Sequence, residues 1–76
     1  MNDQNEEIQR AQILRYMEER GSISNTKAVV DLGIARLASR IHEMKEAGMP
    51  IVDRWEYKYD NDGKIVKKWK EYSLNV

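Results

Sequence analysis

Residues 24–47 read SNTKAVVDLGIARLASRIHEMKEA, and their pattern describes two short helices joined by a tight turn. Ser24 suits the opening of the first helix, because its hydroxyl oxygen can accept a backbone N–H that the first helical turn leaves unpaired. That helix spans about Asn25 to Leu32, with Ala28, Val29 and Leu32 as its inward face. Gly33 ends it, since glycine takes up the left-handed conformation of a helix stop without a Cβ penalty. The second helix runs from about Ala35 to Ala47, and Gly48 with Pro50 closes it. At about 100° per residue, Leu37, Ile41, Met44 and Gly48 share one arc, with Ala38 and Ile34 beside it. The opposite side carries Ala35, Ser39, His42, Glu43 and Glu46. Arg36 lies out on one flank and Arg40 nearer the core edge. No Ser or Thr caps this second helix, a local defect of about 1 kcal/mol.

Upstream, Ile8, Ala11, Leu14 and Met17 recur at helical spacing, with Ile13 widening the stripe. They predict a core-facing helix over about Glu6 to Glu19, stopped by Gly21. Tyr16 lies off that stripe, available to the later hairpin or to a dimer contact. Residues 1–5 are expected to be disordered, which leaves residues 6–76 as one domain. Ser22-Ile23-Ser24 has room for a brief extended segment that adds a third strand to the hairpin.

Downstream, the period changes to two. Ile51, Asp53, Trp55, Tyr57 and Tyr59 alternate with Val52, Arg54, Glu56 and Lys58, as in a strand rich in aromatic residues. Asp60-Asn61-Asp62-Gly63 is a turn signal, with Gly63 free to take positive φ. A second strand follows over about Lys64 to Leu74. A type I turn with a Gly bulge sets Trp55 opposite Trp69, and a tight four-residue loop shifts that register by one. The bulged turn is the better fit to Asp-Gly at the end of the loop. Tyr72 and Leu74 share the face that closes onto the helices.

Composition narrows the function classes. Seventy-six residues make one small domain. With no cysteine there is no disulfide and no thiolate metal site, which suits a reducing, cytoplasmic setting. No apolar run approaches the roughly 20 residues of a membrane span, and the acidic start is unlike a secretion signal. Net charge is zero, but residues 1–33 hold four basic and six acidic side chains and residues 34–76 hold nine and seven. Lys64–Lys70 contains four lysines and no acid. Lysines also protect strand edges from aggregation, so that run alone decides nothing. The single histidine lacks a catalytic or metal-binding neighbourhood, and Asp60, Asn61 and Asp62 lack the spacing of a calcium loop. No enzyme, cofactor or metal site is expected.

The order helix, short extended piece, helix, turn, helix, hairpin is α+β. Gly21-Ser-Ile-Ser-Asn-Thr26, Leu32-Gly33-Ile34, Arg36-Leu37, Arg40-Ile41-His42 and Ala47-Gly48 resemble a family of small winged helix-turn-helix domains common in bacteria and their phages. The resemblance spans about residues 8–74 and is most specific over Leu32–His42. It implies three helices followed by a β-hairpin wing. The helix after Gly33 would be the recognition helix, and residues 51–73 the wing. At the turn the chain departs from many winged repressors, which place Ser or Thr after the glycine and a buried branched residue five positions later. Ala35 and Ser39 stand there instead, so base contacts must be read from the helical wheel. Arg36, Ser39 and His42 suit major-groove base edges. Asn25, Thr26 and Lys27 suit a phosphate, and Lys64, Lys67 and Lys68 suit backbone or minor groove. Arg40 suits a phosphate or an internal ion pair. Double-stranded DNA is the expected partner of a small prokaryotic or phage transcriptional regulator, with a homodimer or partner protein adding selectivity and no role for a membrane. The alternative is a protein-docking module that uses Trp55, Tyr57, Tyr59 and Trp69 as anchors, for example a phage protein acting on a host factor.

Overall fold

Glycines and a single serine divide the chain into its elements. In a computed structural model that describes residues 3–75, α1 spans Asp3–Arg20 and α2 spans Asn25–Lys27. A π-helix over Ala28–Leu32 continues α2 directly, and α3 spans Leu37–Glu46. The strands β1 (Ile51–Tyr59) and β2 (Ile65–Leu74) then pair antiparallel, so the fold is α+β, helices first and hairpin last.

α1 begins at Asp3, inside the stretch 1–5 expected to be disordered; Met1 and Asn2 lie outside the described residues. Ile13 and Met17 are buried and Leu14 is half-buried, but Ile8 and Ala11 are exposed, contrary to the expected stripe. The reason lies across the interface. Opposite the first half of α1, helix α3 offers charged side chains: Glu43 accepts from Arg10 at 2.8 Å, and Arg40 lies 3.6 Å from Glu6. Gly21, with φ +93°, ends α1 while its N–H donates to the Met17 carbonyl at 2.9 Å. Ile23 then exchanges two backbone hydrogen bonds with Tyr72, at 2.9 and 2.8 Å, so the expected third strand is a single bridge.

Ser24 caps α2 as expected, its Oγ accepting from the Lys27 N–H at 3.3 Å. The π-turn after it is not foreseen by the sequence. Gly33, at φ +69°, donates back to the carbonyls of Ala28 and Val29, and Ile34 donates to Ala28 at 3.0 Å. A π-turn is wider than an α-turn, so side chains depart from α-helical spacing. Ala28 remains buried and Leu32 half-buried, but Val29 is turned out to 53% exposure, which corrects its place on the inward face. α3 starts at Leu37, with Arg36 at the cap and no side-chain cap bond, the weakness read from the sequence. Leu37, Ile41 and Met44 pack inward and join Ile13, Met17, Ile23 and Ile34 in one core.

The hairpin turn forms as the Asp-Gly signal predicts. Gly63 (φ +80°) donates to the Asp60 carbonyl at 3.1 Å, and Asp60 donates to Lys64 at 2.8 Å. Asp60 Oδ1 also accepts from the backbone of Asp62 and Lys64, both at 2.9 Å. This turn pairs Tyr59 with Ile65, yet Lys58 pairs with Lys67. The extra residue, Val66, is a second bulge that shifts every later pair by one. Trp55 therefore faces Lys70, and Trp69 faces Glu56, so the expected Trp55–Trp69 pair does not form. The two tryptophans lie on opposite faces of the hairpin. Ile51, Tyr72 and Leu74 cover the core from its base, whereas from Val52 to Lys68 every residue except Glu56 is exposed.

Candidate nucleic-acid interface

The outer surface of α3 presents Arg36 and His42 to solvent and Ser39 half-buried. Arg36 Nη2 donates to Ser39 Oγ at 3.4 Å, a weak contact that leaves most of the guanidinium fork free. His42 Nε2 lies 2.7 Å from Glu46 Oε1, one turn on. Glu43, on the same outer side by the helical wheel, is engaged by Arg10 and Arg40. Donation from Arg10, reinforced by the charge and hydrogen bond of Arg40, holds its carboxyl below the ordinary range against the opposing effect of burial.

Arg40 is only 4% exposed. It donates to Glu43 at 2.9 Å and to Gln9 at 3.4 Å, and lies 3.6 Å from Glu6. Its Nε has no hydrogen-bond partner in the protein. Of the two roles open to it from the sequence, a phosphate contact or an internal ion pair, the structure shows the ion pair. Arg40 is an internal cation that joins α3 to α1.

Four of the predicted residues come together at the start of α2. Asn25, Thr26, Lys67 and Lys68 line one groove of about 500 Å³ along the free edge of β2, together with Trp55, Trp69 and Lys70. An adjoining groove of about 370 Å³ adds Lys27 and Arg54 beside Thr26 and Lys67. Ile23 is the cause of this convergence. Its bridge to Tyr72 sets the residues just after it beside the next stretch of β2. Lys64 stands apart, in the turn.

Two residues that sequence reading passed over fix this geometry. Glu71 is 3% exposed, and accepts from Ser22 Oγ at 2.7 Å, Lys27 Nζ at 2.9 Å and Trp69 Nε1 at 2.8 Å. Burial pushes its carboxyl up, but the donors Ser22, Lys27 and Trp69 and the charge of Lys27 outweigh it, so its pKa falls below the ordinary value. Lys27 is thereby half committed to the fold. Asp53 makes the second tie: it lies 3.2 Å from Lys70 and 3.4 Å from Lys45 of α3, and those two ammonium groups hold its pKa down. The hairpin is thus bound to α2 through Glu71 and to α3 through Asp53. An acid directly after the run of lysines is the only sequence signal for Glu71.

Among the described residues, Lys58, Lys64, Lys67 and Lys68 make no ion pair, and all lie in the outer half of the hairpin. No group of three or more His, Asp or Glu residues among the described residues could hold a metal ion, and none of the described helices is long and apolar enough to cross a membrane.

A family model described as a winged helix-turn-helix domain matches residues 8–76. The chain belongs to the winged helix-turn-helix family. Comparisons with curated proteins and with solved structures gave no match. Within the family layout β1 with β2 is the wing that follows the three helices. DNA is the partner that the family suggests in general, and the fold is typical of binding rather than catalysis.

Proposed function

We propose that this winged helix-turn-helix domain binds double-stranded DNA with sequence preference, as a small transcriptional regulator of prokaryotic or phage type acting in the cytoplasm. The observation that carries this reading is the supply of solvent-facing cations and donors on two surfaces. Arg36 and His42 are exposed and Ser39 is half-buried on α3, with contacts only to one another and to Glu46 one turn on, and Asn25, Thr26, Lys67 and Lys68 converge on one groove. α3 enters the major groove. Arg36 at its amino end reads a guanine edge with two parallel N–H bonds, and Ser39 and His42 adapt to neighbouring bases. Asn25, Thr26 and the wing lysines grip phosphates and set the register. Lys64, at the wing tip, reaches the adjacent backbone. Arg40 and Lys27 hold the frame.

One copy makes few base contacts, so useful discrimination calls for a second copy or a partner protein. The test is a comparison of sites. Arg36→Ala should cost about 1–3 kcal/mol on the preferred sequence and little on others, so that selection from a random-sequence duplex pool becomes flatter. A pool selected with equal sharpness by the variant and the unmodified domain would mean that α3 is not the reader.

A further inference from the structure

The two faces of the outer wing carry different chemistry. On one, Lys67 approaches the ring of Trp69, which is itself tied to Glu71. On the other, Trp55, Tyr57 and Tyr59 occupy alternate positions of β1, with 49%, 41% and 56% exposure. The Tyr57 and Tyr59 ring centroids are 6.4 Å apart, so the rings stand side by side along the strand. Lys70 faces Trp55 and Lys68 faces Tyr57 across the hairpin. Both ammonium groups approach the Trp55 ring, at 4.9 and 4.6 Å from its centroid. The one acid on this face, Asp53 at the base, is already engaged by Lys45 and Lys70.

Duplex DNA makes little use of such a surface. In a duplex the base faces are stacked on one another, and only edges and phosphates are offered. An acidic protein would satisfy the lysines and leave the ring faces idle. An apolar protein surface would cover the rings at the cost of desolvating two ammonium groups. A strand of unpaired nucleotides matches both elements, with flat bases for the rings and phosphates for the lysines. The geometry points to a further binding mode of the wing, sharing Trp55, Lys68 and Lys70 with the groove beside α2, in which single-stranded nucleic acid stacks its bases on Trp55, Tyr57 and Tyr59 while Lys68 and Lys70 hold its phosphates. This site stands whether or not α3 reads a duplex.

The probe is a short labelled oligothymidylate, titrated with the full chain at about 50 mM salt, where phosphate contacts are strong. The unmodified domain should bind it and show quenched tryptophan fluorescence. Trp55→Ala with Tyr57→Ala should weaken binding about tenfold or more, the loss expected when stacking is removed. Trp55→Phe with Tyr57→Phe should keep most of the affinity, and Arg36→Ala should leave it unchanged. An alanine pair that still unfolds cooperatively and binds the oligonucleotide as tightly as the parent would overturn the proposal. So would displacement by polyglutamate at equal charge, which would mark an acidic-protein surface. Loss of sequence preference among duplexes in Arg36→Ala with intact oligothymidylate binding separates this site from the reading helix.

Discussion

Glu71→Ala should be among the most damaging single substitutions on the hairpin. It removes a nearly buried carboxylate and strands three donors at once: the Ser22 hydroxyl, the Lys27 ammonium and the Trp69 indole N–H. The Ser22 and Trp69 donors are half-buried and Lys27 is exposed, so water can take up part of the loss and the cost falls toward the lower end of about 1–3 kcal/mol; in a domain of this size each kcal/mol moves the melting temperature by roughly 4–8 °C. Glu71→Gln retains an acceptor and should lose less. Because the folded pKa of Glu71 is depressed, its contribution is present above the unfolded carboxylate pKa and is lost as pH falls through the lower folded value. The parent domain should therefore weaken in acid more steeply than Glu71→Gln. Thermal unfolding followed by circular dichroism, across a pH series, measures both effects. Since Glu71 ties the wing to α2, duplex affinity should fall in the alanine variant even below its melting temperature. Unchanged melting would mean that the three hydrogen bonds hold nothing together.

Lys67→Ala combined with Lys68→Ala should weaken binding to every duplex alike. Neither lysine is paired with a carboxylate, so their removal deletes cations without freeing an internal acid. Each phosphate contact contributes about 0.9 to the slope of log affinity against log salt, so the double variant should bind with a slope smaller by about 2. Sequence preference should survive, in contrast to Arg36→Ala. Fluorescence anisotropy on two duplexes of different sequence, each at several salt concentrations, checks both points. A changed preference with an unchanged slope would mean that the wing reads bases and does not grip the backbone.

Local chemistry was legible in the sequence wherever one residue decides the backbone. Gly21, Gly33 and Gly63 mark stops and turns because positive φ suits glycine, and Ser24 marks a cap because its oxygen is short enough to reach back. The absence of a capping Ser or Thr before α3 could be read for the same reason, although the helix starts at Leu37 and not at the expected Ala35, which puts the uncapped position at Arg36. What escaped depends on contacts distant in sequence or on small insertions in a regular pattern. The π-turn over Ala28–Leu32 turns Val29 outward without a sequence mark. Val66 adds one residue to β2, and a shift of one flips every later side chain. That shift separates Trp55 from Trp69, and so creates the two dissimilar wing faces.

The candidate interface was legible by residue type more than by partner. The wing lysines and the opening of α2 converge because Ile23 bridges Tyr72, and the sequence offered only room for that bridge. Arg40 sits at the core edge of the helical wheel, where a phosphate contact and an internal ion pair were both open. Glu6, Gln9 and Glu43 decide for the internal network. Those partners come from α1 and from the next turn of α3, and no spacing rule joins residue 6 to residue 40.

The most direct measurement is the affinity of the unmodified domain for random-sequence duplex DNA across a salt series. With about four to six phosphate contacts, log affinity should fall linearly with log salt at a slope of roughly −4 to −5. Absence of detectable binding at about 50 mM salt, or a slope near zero, would contradict DNA binding through the wing and the start of α2.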